Sequence, residues 1–214
     1  MTELDHITLA AASLAQGLSY LRATLGVDLP YGGEHPRMAT HNHLLRLGPS
    51  LFFELIAIDP AAPAPARPRW FGLDDPALQA QLAVAPRLIT WVVRTRQIAE
   101  AFLASDTPLG AIEAMTRGDL RWLITFPNDG SLPDGGMIPS LIQWPDGPHP
   151  ASRMPDLGCS LDRFEAIHPD PDGYRRRLAS IGADRHIEIR AAPSGTPPRL
   201  IAHIRTPHGL RSVG

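Results

Sequence analysis

Glu54 is the residue whose surroundings most demand an explanation. It lies in Phe52-Phe53-Glu54-Leu55-Ile56-Ala57-Ile58, and in a strand it shares one face with Phe52, Ile56 and Ile58 because side chains alternate. A carboxylate among such neighbours must be paired, ligated or protonated, since burying it bare is costly. It could ligate a metal, move a proton, or be a structural acid bonded to loop amides or an arginine. His6, in Leu4-Asp5-His6-Ile7-Thr8-Leu9, shares a strand face with Leu4 and Thr8 in the same way. Imidazole and carboxylate are donors that a hard or borderline divalent cation accepts. His41 and His43 form a His-x-His that could present two rings to one ion, while Thr40 and Asn42 take the opposite strand face. Both faces cannot line one cavity. His35 stands in a glycine-bounded loop, either as a substrate contact or as a surface residue. Trp91, Trp122 and Trp144 fall in strand-like runs with Phe52, Phe53 and Phe126. Such aromatics fill a core or, if they line a cavity, suit an apolar or aromatic ligand.

Composition removes several other chemistries. All 20 residues counted as Lys+Arg are arginine, so there is no amine for a Schiff base or pyridoxal phosphate and no P-loop lysine. No nucleotide-binding glycine motif occurs either. The single cysteine, Cys159, cannot form an internal disulfide and reads as a buried structural thiol. A net charge of -2 offers no field for nucleic acid. The run Arg175-Arg176-Arg177 spreads around a helix as a solvated face. No apolar run approaches the roughly 20 residues of a membrane helix, and the start is acidic rather than a basic leader. The expectation is a cytoplasmic protein whose partner is a small molecule, with no nucleic acid and no membrane.

Positioning these residues takes a repeated unit. A strand at 4–9 precedes a helix capped by Ser13, with Leu14, Leu18, Leu21 and Leu25 on one face and Gly26 as its stop. A Gly/Pro-rich loop follows, then strands at 41–47 and 51–58 joined by Gly48-Pro49-Ser50. Residues 60–68 are Ala/Pro-rich and read as a linker, with a short helix starting at Asp74 or Asp75. The order then restarts with a strand at 88–93, a helix at 97–103 and strands at 111–115, 120–126 and 137–144. It starts a third time with a strand at 161–167, a helix near 174–181 and strands at 186–190, 199–205 and 210–213. This repetition divides the chain into a first module (1–59), linker and short helix (60–85), second module (86–150) and third, partial module (151–214).

The motifs Leu4-Asp5-His6, Gly33-x-His35, Thr40-x-Asn42, Phe53-Glu54-Leu55-Ile56 and Pro139-x-Leu141-Ile142-Gln143-Trp144, in that order, resemble the vicinal oxygen chelate superfamily, and within it the glyoxalase-like domain proteins. The resemblance implies an α+β fold in which βαβββ modules pair into an open, curved, mostly antiparallel β-cup with helices outside. It also implies a divalent metal (Zn, Ni, Fe or Mn) held by the first and last strands of each module. Those positions here are His6, Glu54, Thr90 and Gln143. Thr90 is a poor ligand, which leaves His6, Glu54 and Gln143 for metal and Glu54 as the catalytic group. His35, Thr40, Asn42, Thr90 and Trp144 are the expected substrate contacts, with Asn42 facing inward in preference to His41 and His43. Two functions follow: a metal-dependent lyase, isomerase or dioxygenase, or a metal-free binding or sequestering protein on the same fold. A third, a structural or regulatory domain, draws on the linker and the odd third unit. That unit, with the apolar run Leu200-Ile201-Ala202-His203-Ile204, must cap the sheet or pair across a homodimer, and the homodimer is the expectation.

Overall fold

The first helix, α1 (Leu14–Leu25), begins and ends where its chemistry says it must. The Ser13 hydroxyl accepts the Gln16 N–H, and Gly26 leaves the helix in the left-handed region at φ 74°. The computed structural model describes residues 1–214. In chain order the elements are β1 (Glu3–Ala10), α1, β2 (Tyr31–His35), β3 (Thr40–Gly48) and β4 (Leu51–Ile58). Next come α2 (Pro76–Val84), β5 (Arg87–Arg94), α3 (Ile98–Ala104), β6 (Ala111–Arg117), β7 (Leu120–Phe126) and β8 (Ser140–Gln143). The last are β9 (Ser160–His168), α4 (Pro171–Ser180), β10 (Glu188–Ala191), β11 (Arg199–Thr206) and β12 (Gly209–Val213). The order βαβββ thus occurs three times.

The first two occurrences build one eight-stranded mixed sheet, β2-β3-β4-β1-β5-β8-β7-β6. Its halves have the same internal order and meet through antiparallel β1 and β5, with Thr8 opposite Thr90. The sheet curves until its edge strands β2 and β6 come back together. Arg37 latches that seam, donating to the Ala114 carbonyl (2.9 Å) and to Glu113 (2.7 Å) on β6. One element here differs from the sequence reading, which takes 31–35 as loop. Gly32-Gly33 weakens the strand signal, yet the segment pairs with β3 through an irregular register.

Strand alternation sorts the core into two faces. The outer face carries Ile7, Leu9, Phe53, Leu55, Trp91, Val93 and Leu141, which pack with Leu21 and Leu25 of α1 and Ile98 of α3. The third unit forms its own sheet, β10-β9-β11-β12, and its Phe164, Ala166, Leu200, Ala202, Ile204 and Val213 join that same outer core. Its apolar face is therefore covered within the chain, and the need that motivated a homodimer is met without one. The inner face carries Ala10, Ile56, Val92, Ile124, Phe126 and Ile142. It is closed at one end by the segment after the Ala/Pro-rich stretch, where Trp70, Phe71 and Leu73 pack with Leu78 and Leu82 of α2. No helix is long and apolar enough to cross a membrane.

Candidate active site

Between the inner sheet face and Trp70–Phe71 lies a cavity. Its floor is polar: His6 from β1 and Glu54 from β4, with Nε2 and Oε2 3.8 Å apart and both residues buried. Each is held from behind. Glu54 accepts from the Asn42 amide (Oε1, 2.6 Å) and from the Thr8 hydroxyl (Oε2, 3.2 Å). His6 stacks on Phe52 with ring centroids 4.5 Å apart, and its Nδ1 donates to Asp5 (2.7 Å).

Asp5 reaches its neighbour's ring because β1 carries an irregularity at that point. Leu4 opposes Val93 and His6 opposes Val92, so Asp5 is the extra residue of a bulge, which re-aims a side chain. The Asp5 carboxylate is fully buried and also accepts from the Trp144 indole (2.9 Å) and His149 Nε2 (2.9 Å). His149 Nδ1 in turn accepts the Ala151 N–H, which leaves Nε2 as its donor. With its Nδ1 proton committed to Asp5, His6 turns Nε2 toward Glu54 and the cavity.

The walls are aromatic. Trp122 and Trp144 lie 5.3 Å apart, Trp70 and Phe71 stack at 5.1 Å, and His35 meets Trp70 edge-on at 5.0 Å. The cavity measures ≈ 380 Å³ with its open mouth included, and ≈ 30 Å³ of it can take the centre of a water molecule. That interior holds a water or two at most. Arg117, the last residue of β6, completes the lining.

His35 is buried, with Nδ1 3.1 Å from the Thr40 hydroxyl. Burial, and then the positive charge of Arg117, pull its ring down to about 3 from an ordinary 6.5. The folded value lies below the unfolded one, so the neutral ring contributes stability that is full above pH 6.5 and is lost as pH falls toward 3. Acidification from pH 6.5 to 5 should therefore cost about 2 kcal/mol at this site. Urea denaturation of the protein and of His35→Gln at pH 7 and pH 5 tests this. The variant should lose about 2 kcal/mol less over the interval, and equal losses would refute the assignment.

Of the residues expected at a site, His6, His35, Glu54 and Trp144 line one cavity. Thr40 and Asn42 stand behind it, bonded to His35 and Glu54. His41 and His43 face elsewhere, toward Asp59 (3.9 Å) and the Leu29 carbonyl (2.7 Å). Two placements depart from the expectation. Thr90 is buried beside Thr8, outside the lining, with its hydroxyl 3.4 Å from the Trp91 carbonyl. Gln143 is turned away from the cavity. Its Oε1 accepts the Ile98 N–H at 2.9 Å and so caps α3 from outside, and Ile142 takes the inward position. The divalent metal was to be held by His6, Glu54 and Gln143, but only two of these donors meet. No group of three or more His, Cys, Asp or Glu side chains is arranged so that it could hold a metal ion, and a catalytic zinc site typically has three protein ligands. The donor set does not fit such a centre. Sequence reasoning misses Asp5, Arg117, Trp70 and Phe71. The adjacent pair of large aromatics in a loop, which must be buried somewhere, is the one signal that could have found two of them.

The model of a glyoxalase-like domain family matches residues 4–182. Among solved structures, a hypothetical protein from Staphylococcus aureus superposes with a TM-score of 0.62 at 13% identity, covering 93% of this chain and 88% of the other. That protein shares the fold. A methylmalonyl-CoA epimerase from Streptomyces coelicolor gives a TM-score of 0.42 at 16% identity, over 70% of this chain and 99% of its own. The Mycobacterium tuberculosis methylmalonyl-CoA epimerase gives 0.42 at 19% identity, over 66% and 87%. No curated protein matches the chain.

Proposed function

Because the chain belongs to the glyoxalase-like domain family, we propose that it is an enzyme that moves a proton on a small oxygen-bearing organic molecule, a lyase- or isomerase-type reaction. The observation that carries this reading is the approach of Glu54 Oε2 to His6 Nε2, 3.8 Å apart on the floor of an aromatic cavity. Both groups are oriented by buried partners, as general acids and bases must be. Glu54 takes a proton from a carbon next to a carbonyl. The C–H electron pair becomes the enolate, and the positive charge of Arg117 in the same lining offsets the charge gathering on its oxygen. The proton then returns, from Glu54 or through His6, to the other face or to the next atom. No step is routed through a metal.

A second reading, binding or sequestration without turnover, draws support from the aromatic enclosure itself. Exchange in D2O separates the two. A panel of small ketones, 2-oxo acids and 2-hydroxy acids is incubated with protein, and loss of the proton beside the carbonyl or hydroxyl is followed by NMR. At least one compound should exchange, and Glu54→Gln should slow it roughly 10²- to 10⁴-fold. A compound that quenches the cavity tryptophans yet exchanges nothing would replace catalysis with sequestration.

A further inference from the structure

The arginines around the mouth of the cup are paired, with one exception. Arg37 and Arg67 both bind Glu113 (2.7 and 3.0 Å), and Arg69 binds Asp74 (2.7 Å). Arg117 enters the cavity lining without a hydrogen bond or an ion pair; the only charge acting on it is that of Glu54, felt through space. The guanidinium is half-buried, and burial lowers its pKa while no acceptor of the chain meets it. A charge partly withdrawn from water without a partner is costly. Glu54 does not supply the missing bonds: its oxygens accept from Asn42 and Thr8, and no hydrogen bond joins it to Arg117.

A second donor in the same wall is also unused. Trp70 is 2% exposed, and its indole N–H is buried with no acceptor. Two residues with idle donors, one of them a fork of N–H groups, therefore line a space whose other walls include Trp122, Trp144 and Phe71. Arg117 is held in place by an absence. Its stem crosses Gly33 of β2, where a Cβ would come within 3.1 Å of Arg117 Cδ and 3.2 Å of Cγ. The same residue also forms a wall of the surface groove along the β2–β6 seam, with Gly32, Gly33 and Thr116. It stands where the seam meets the cavity.

The geometry points to a planar organic anion as the ligand, an aromatic or conjugated carboxylate gripped by Arg117 where the groove meets the cavity, its flat body against the tryptophans and its reacting carbon toward Glu54. This rests on the reading of the cavity as the ligand site and narrows its substrate class. A guanidinium suits the task because its fork matches the two oxygens of a carboxylate, which an ammonium does not. The ligand's charge goes to the Arg117 end because Glu54 repels it from the floor.

Benzoate and trans-cinnamate serve as anionic probes, and benzamide and cinnamamide as their neutral counterparts. Binding is read from quenching of the cavity tryptophans, in the full chain and in Arg117→Gln and Arg117→Lys, each checked for an unchanged thermal transition. The carboxylates should bind more tightly than the amides. Arg117→Gln should weaken the carboxylates about 10- to 150-fold, the loss of a charge-assisted hydrogen bond, with the amides unaffected. Arg117→Lys should recover part of the loss. Equal affinity for acid and amide in the unaltered protein, no binding of either carboxylate, or Arg117→Gln without effect would each overturn the assignment. Should Arg117→Gln not fold, the acid–amide comparison and the lysine variant decide. None of the probes has a hydrogen on a saturated carbon next to its carbonyl, so the result is independent of proton transfer. If compounds exchange protons in the unaltered protein while neither carboxylate binds, catalysis stands and the anion assignment falls; carboxylate binding without any exchange gives the reverse.

Discussion

A chain ending at Ala151 is expected not to fold. The third βαβββ unit is part of the main core. Phe164, Leu178, Leu200, Ile204 and Val213 belong to the same buried cluster as Ile7, Phe53 and Trp91. At ~1.5–3 kcal/mol for each large side chain withdrawn from water, those five alone amount to about 8–15 kcal/mol. That matches the whole stability of an ordinary domain, ~5–15 kcal/mol, before counting the outer sheet face that would be laid bare. Polar ties run the same way. The Trp91 indole and the Tyr174 hydroxyl both donate to the Met137 carbonyl at 2.8 Å. The Thr2 hydroxyl donates to the Gly182 carbonyl at 2.7 Å, joining the start of β1 to the end of α4. Expression of residues 1–151 should give insoluble or molten protein without a cooperative thermal transition. A soluble truncation with a sharp melt would mean that the outer face tolerates exposure and that the third unit is an accessory.

Replacing Asp5 by alanine should cost about 3–5 kcal/mol, the range for breaking a buried charge pair and stranding its partners. Three donors, from His6, Trp144 and His149, converge on this one carboxylate. Burial by itself would raise its pKa, but the hydrogen bonds from His149 and His6 win and hold it well below the usual carboxylate range. Since the folded value is the lower one, the contribution is whole above the unfolded pKa of about 4 and fades only as strong acid approaches the folded value. The penalty in Asp5→Ala is therefore complete at pH 7, where urea unfolding reads it. A loss below ~1 kcal/mol, the scale of a single ordinary hydrogen bond, would show that the three donors find other acceptors. Asp5→Asn, which keeps the shape and loses the charge, should fall between.

Much of this arrangement is legible in the residue order, and the failures share a cause. Glu54 announces itself by standing between Phe and Ile; period-2 alternation sets Thr40 and Asn42 on one face and His41 and His43 on the other, and the family resemblance, which turns Asn42 inward, picks the face that is found. Alternation fails where the backbone departs from it. At Asp5 the bulge turns a residue toward its neighbour's partners, and a pattern of period 2 assigns that residue to the opposite face. At the end of the second unit, a strand read from 137 begins only at Ser140, after a turn at Pro133–Gly136 with three residues at positive φ. There the family position lands on Gln143 while Ile142 faces the cavity. Arg117, Trp70 and Phe71 come from a strand end and a loop, and their places depend on contacts with distant segments. No local pattern encodes such contacts. The apolar run at 200–204, the reason given for a homodimer, packs into the outer core of its own chain, a cover that residue order cannot disclose.

The tightness of the cavity has a thermodynamic meaning. With ≈ 30 Å³ open to water, a ligand that enters turns out very little solvent. It cannot draw on the entropy that released water lends to most apolar associations. Its affinity has to come as heat, from dispersion contacts with the indole faces and from charged hydrogen bonds, as in other poorly hydrated apolar pockets. Such a site grades its guests by fit and ignores greasiness, so a longer hydrocarbon tail gains nothing there unless the walls have room to touch it.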